Sequence, residues 1–83
     1  MINVVFFASL REELGVESVS MDSSGITDVH GVLAGLGKHL TGQWHESLTC
    51  SNTLIAVNQE MANIESSVSD GDEVAFLPPV TGG

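Results

Sequence analysis

The 83-residue chain has no tyrosine, one tryptophan, one cysteine, two prolines and only two basic residues. Each shortage excludes something. Cys50 by itself cannot close an intrachain disulfide, which fits a reducing compartment, and nothing near it in sequence resembles an activating base. Arg11 and Lys38 face eleven acidic residues, a formal charge of −9, so a nucleic-acid backbone would be repelled. An envelope of that sign either docks onto basic protein surfaces, with an attraction that weakens in salt, or simply keeps the chain soluble. A single lysine leaves little scope for polymers built through lysine side chains. No apolar run approaches membrane-spanning length, and the N-terminus lacks the basic region of a signal peptide; the expected compartment is the cytoplasm and no membrane partner is expected. His30, His39 and His45 have no metal-ligand spacing, and Asp70-Gly71-Asp72 lacks the further oxygen ligands of a calcium loop. No metal site is expected.

What is present reads as one small α+β domain. At 42% hydrophobic the chain is globular. Ile2 to Ala8 alternates Ile2, Val4, Phe6 and Ala8 against Asn3, Val5 and Phe7, apolar on both faces as a central strand would be. Ser9-Leu10-Arg11-Glu12 has the spacing of a capping box, with Gly15 at a helix stop. Glu17 to Asp22 alternates as a strand with one wet face, and Ser23-Ser24-Gly25 ends it.

From Thr27 to Leu40, Val29, Val32, Leu33, Leu36 and Leu40 form one helical stripe. Thr27 is the expected N-cap and Gly42 the stop. Gly31, Gly35 and Gly37 each weaken that helix by about 1 kcal/mol relative to alanine, so it must lean on tertiary packing. Trp44 to Asn52 reads as loop, with Trp44 as a packing residue. Leu54 to Asn58 is a short strand, and Gln59 to Ser67 an irregular connection with room for a further edge strand. Asp70-Gly71-Asp72 is a turn. Glu73 to Leu77 is the last strand, with Val74 and Phe76 opposite Ala75 and Leu77. This order suits a ubiquitin-like β-grasp, a mixed sheet with its first and last strands parallel at the centre and one main crossover helix. Other α+β sheets share it.

Both prolines stand together at the start of the ending Pro78-Pro79-Val80-Thr81-Gly82-Gly83. They hold φ near the extended region and bias Leu77 the same way. The division is thus a domain over residues 1–77 and an extended tail over 78–83, whose six residues reach about 20 Å. Gly82 and Gly83 carry no Cβ, so the last stretch is slim enough to thread a channel closed to bulkier tails. An unhindered glycyl carboxylate on such an arm suits activation and transfer between enzyme pockets.

Three segments resemble the MoaD-type small subunits of molybdopterin synthase. They are Val4-Val5-Phe6-Phe7-Ala8 with Leu10-Arg11-Glu12 and Gly15; Ala56-Val57-Asn58-Gln59; and the fourteen residues from Asp70 to Gly83. The resemblance implies a β-grasp fold, an adenylating partner of MoeB type that uses ATP, and a large subunit of MoaE type. It implies that Gly83 is adenylated and then converted to a C-terminal thiocarboxylate, a 1-thioglycine. The tail Pro78, Pro79, Val80, Thr81 and Gly82 then enters the large subunit, where sulfur passes to cyclic pyranopterin monophosphate. The active site lies on the large subunit, the chain binds no cofactor of its own, and the assembly is a heterotetramer. By position, the family's docking patch maps to Phe7, Met61 and Leu77. Alternation independently places Phe7 and Leu77 on the strand faces opposite Phe6 and Phe76. Three other readings compete: a ubiquitin-like carrier for thiazole or another product, a modifier conjugated through Gly83 to lysines of target proteins, and an acidic interaction module with an inert tail.

Overall fold

The computed structural model describes residues 1–49 and 52–78. Its strands are β1 (Ile2–Phe6), β2 (Ser18–Met21), β3 (Leu54–Val57), β4 (Glu60–Ala62) and β5 (Glu73–Leu77); its helices are α1 (Ala8–Leu14), α2 (Val29–Leu36) and α3 (Trp44–Thr49). The five strands form one sheet in the order β2-β1-β5-β3-β4. β1 and β5 run parallel at the centre, with Val4 beside Val74 and Phe6 beside Phe76, and the other three pairings are antiparallel. This is the mixed β-grasp sheet expected from the element order.

Alternation explains the core. Ile2, Val4 and Phe6 of β1, Val74 and Phe76 of β5, and Ile55 of β3 point to one side of the sheet. There they meet Val29, Val32, Leu33 and Leu36 of α2, Leu10 of α1 and Leu48 of α3. The Phe6 and Phe76 rings stack across the parallel pair, centroids 6.0 Å apart and 21° from coplanar. Every core-forming helix residue joins this one cluster, so the helices lie on a single side.

Three local expectations are corrected. The capping box at Ser9 is absent: Phe7 is the N-cap of α1, with no side-chain cap bond. The Phe7 N–H donates to the Phe76 carbonyl at 3.2 Å and its carbonyl accepts from the Leu10 N–H at 3.1 Å, so the strand hands over directly to the helix. Asp28, rather than Thr27, caps α2, its Oδ1 accepting from the Gly31 N–H at 2.8 Å. The Thr27 carbonyl instead accepts from the Val68 N–H at 3.0 Å. The segment after Gly42 is not all loop, because Trp44–Thr49 is helical and Leu48 is buried. Gly15 does cap α1, at φ +75°, as its sequence position indicates.

Helix α2 also stops at Leu36, short of Leu40, although Leu40 still reaches the core. Its glycines differ in what surrounds them. A Cβ at Gly31 would sit in ordinary contact, 3.5 Å from both Asp28 and Ile26, whereas one at Gly35 would fall 2.3 Å from the Met21 methyl. Gly31→Ala is therefore expected to stabilise the fold by about 0.5–1 kcal/mol. Gly35→Ala has the same helical advantage but must displace a side chain that is 3% exposed. Thermal melts should rank Gly31→Ala above the wild type and Gly35→Ala below Gly31→Ala; equal gains would refute the close approach of α2 to β2.

Candidate functional site: an open sheet face beside the tail

The side of the sheet away from the helices carries the other half of each alternation. The registers place Val5 beside Ala75, Ala75 beside Ala56, and Ala56 beside Met61, one apolar row across four strands. With strands about 4.8 Å apart, the row spans about 14 Å. A second row runs Leu54 to Leu77, with Phe7 following Phe6 at the end of β1 on the Leu77 side. Phe7 is 46% exposed and Met61 68%, while Leu77, Leu54 and Val5 are half-buried. Ala56 and Ala75 are buried, yet neither belongs to the core cluster.

The structure thus brings Phe7, Leu77 and Met61 onto one surface. It adds Val5, Leu54, Ala56 and Ala75, which the sequence reading did not select. The alternation of Leu54-Ile55-Ala56-Val57 carried the signal, but which of its two faces lay uncovered was not legible locally. Polar residues bound the patch: Ser18 and Ser20 of β2 on one side, Asn3 and Glu73 at the far end of the central pair. An apolar area framed in this way is the ordinary form of a protein-docking surface.

Pro78 leaves β5 directly after Leu77, at the end of the sheet shared by Leu54 and Phe7. Pro79, Val80, Thr81, Gly82 and Gly83 lie outside the described residues, as does Cys50. Their roles rest on sequence.

The turns at the opposite end of the sheet are locked. Asn58 and Gln59 both take positive φ, 51° and 71°, as a two-residue hairpin between β3 and β4 requires. The Asn58 amide donates to Asp72 at 3.0 Å and its carbonyl oxygen accepts from the Glu73 N–H at 3.0 Å, tying that hairpin to the turn before β5. The Asn58 amide, then the Ser69 N–H, hold the Asp72 carboxyl below its ordinary value. The N-terminal amine and the Ser23 hydroxyl do the same for Asp70, and the Ser24 N–H for Asp22. These aspartates fasten turns, as the sequence implies for Asp70 and Asp72, and none is raised toward an acid–base role.

Elsewhere, a groove of about 700 Å³ runs along the β4 edge between α2 and α3, lined by His30, Leu33, Trp44, Leu48, Met61 and Ile64 among others. Trp44 packs against the core and meets His45 edge-on at 5.3 Å. Among the described residues, no three His, Asp, Glu or Cys side chains are grouped to hold a metal ion, and no helix is long and apolar enough to cross a membrane.

A parallel β1–β5 centre, one helical layer and an open apolar face define a ubiquitin-like β-grasp protein. The chain belongs to the ThiS family, whose profile matches residues 4–83. A molybdopterin synthase sulfur carrier subunit from Haemophilus influenzae is 38% identical, with full coverage of both chains. Among solved structures, SAMP1 from Haloferax volcanii is 27% identical, with a TM-score of 0.75 and 99% and 98% of the two chains covered. Subunit 1 in the complex of subunits 1 and 2 of the molybdopterin-converting factor from Helicobacter pylori is 25% identical, with a TM-score of 0.65 and 99% and 97% covered.

Proposed function

We propose that this chain is the sulfur carrier subunit of a molybdopterin synthase and that Gly83 carries the sulfur. One observation supports the reading most directly: the root of the tail lies at the end of the central strand β5 that carries the apolar face, so a partner seated on Phe7, Leu77, Leu54 and Met61 stands where the tail departs. The 38% identical relative bears that role in its name. The Helicobacter pylori relative was solved with its subunit 2, which supports a MoaE-type large subunit as the partner here, in a heterotetramer of two small and two large subunits.

The chemistry follows from a terminal glycine. A carboxylate is a poor acyl donor until its oxygen becomes a good leaving group, and adenylation by an ATP-using, MoeB-type partner makes it one. A sulfur nucleophile then attacks the carbonyl and displaces AMP, leaving a thiocarboxylate. No side chain on Gly83 crowds that attack, and Gly82 lets the backbone bend at the pocket mouth. The thiocarboxylate is a soft nucleophile, so the carrier needs no catalytic side chain of its own. In the large subunit it gives its sulfur to cyclic pyranopterin monophosphate, and two charged carriers complete one dithiolene. The cytoplasm is the compartment for this exchange.

The test uses the chain carrying a thiocarboxylate at Gly83, mixed with a competent molybdopterin synthase large subunit and cyclic pyranopterin monophosphate. Dithiolene product should appear while Gly83 returns to a carboxylate. No product from a large subunit that works with its own carrier would overturn the reading. A second reading, a protein modifier, draws on the likeness to a solved small archaeal modifier protein 1, 27% identical. It requires higher-mass conjugates in cell lysate that vanish when Gly83 is deleted.

A further inference from the structure

The chain has three methionines, and they stand in three different environments. Met21 is 3% exposed within the core, while Met1 and Met61 are 62% and 68% exposed. Met1 lies at the far end of β1 from Phe7, where its carbonyl accepts from the Gly71 N–H at 2.9 Å. Met61 is different: it is opposite Ala56 in the apolar row of the open face, and it also lines the groove along the β4 edge. Met61 is therefore exposed where the sheet face meets the groove. Methionine oxidation follows access rather than protonation state, and it turns a flexible apolar side chain into a polar one.

We propose that Met61 is a reversible oxidation site that controls docking of the sheet face. The inference rests on the reading of that face as the partner surface. A peroxide is the oxidant: the thioether sulfur attacks one peroxide oxygen, the O–O bond breaks, a sulfoxide S–O bond forms and water leaves, with sulfur oxidised by two electrons. A dithiol reductase reverses the step, its thiols closing to a disulfide as the sulfoxide oxygen departs as water. The sulfoxide oxygen is a strong acceptor at the β4 end of an apolar row. A partner that covers it takes it from water without a donor among Ala56, Ala75 and Val5 to satisfy it. Docking in turn covers the sulfur, so the free carrier is the sensitive form and the assembled one is protected.

The experiment treats the full chain with hydrogen peroxide, removes the peroxide, and titrates the product with a molybdopterin synthase large subunit that binds the untreated chain. Peptide mass mapping should show oxygen added at Met61 and Met1 and none at Met21. The Kd should rise about tenfold or more, the effect of burying one unsatisfied polar oxygen, with the melting temperature unchanged. Methionine sulfoxide reductase should restore it. In the Met61→Leu variant, peroxide should leave that variant's own Kd where it began, although Met1 is still oxidised. An unchanged Kd after complete oxidation of Met61 would overturn the proposal, as would an equal loss in Met61→Leu or a fall in melting temperature that accounts for the loss. Phe7→Asp separates the two readings. If Phe7→Asp weakens binding and Met61 oxidation does not, the docking face stands and the switch falls; if neither weakens it, both fall.

Discussion

Removal of Gly83 is expected to abolish sulfur transfer completely and to leave the melting temperature within about 2 °C of the full chain, below the 4–8 °C that about 1 kcal/mol produces in a domain of this size. The two halves of that expectation have separate causes. Among the described residues, sheet pairing ends at Leu77 and the buried core at Phe76, and neither involves Gly83. In the proposed reaction the acyl group that accepts the adenylate belongs to Gly83, and deletion moves the carboxylate back by one residue. Incubation with the adenylating partner, ATP and a sulfur donor, read by intact mass, should show no charged carrier. A truncated chain that still charges would remove Gly83 from the mechanism, and one that melts much earlier would mean that the tail belongs to the fold.

Phe7→Asp is expected to weaken binding to the large subunit at least about thirtyfold, the effect of losing about 2 kcal/mol from a central aromatic anchor. The isolated domain should stay folded. Phe7 is 46% exposed and absent from the core cluster, and its backbone bonds to Phe76 and Leu10 do not depend on its side chain. An aspartate there places a charge on an apolar surface that docking must dehydrate. The added negative charge on a chain already at −9 also slows encounter with an acidic partner surface and favours a basic one, so titration at two salt concentrations separates the lost contact from long-range repulsion. Unchanged affinity in both would take Phe7 out of the docking surface.

Much of the architecture was legible from local pattern. The period-2 alternation of β1 and β5, the 3.6-period stripe of α2, the glycine stop after α1 and the Asp70–Asp72 turn each require only neighbours in sequence. The misplaced details were those in which a distant segment competes for the same backbone groups. Ser9 has the spacing of a cap, but the strand pairing of Phe7 with β5 starts the helix earlier. Thr27 is a good N-cap residue, but its carbonyl is engaged by Val68 and Asp28 takes the position. Helix α3 is six residues long, too short to be stable alone; the burial of Leu48 against a core made elsewhere holds it in place.

The candidate site divides along the same line. Sequence by itself determined the composition of the ending, Gly82 and Gly83 after Pro78 and Pro79, the formal charge of −9, and an apolar alternation that put Phe7 and Leu77 on the faces opposite Phe6 and Phe76. It could not say which face the helices would cover, because β1 and β5 are apolar on both. Tertiary structure decided that. Three helices pack on the side of Ile2, Val4, Phe6, Val74 and Phe76, and the cross-strand registers then align Val5, Ala75, Ala56 and Met61 on the other. Register is a relation between strands up to 70 residues apart in the chain, fixed by the fit of the whole core and by the closed hairpin at Asn58-Gln59, and no local window of sequence contains it.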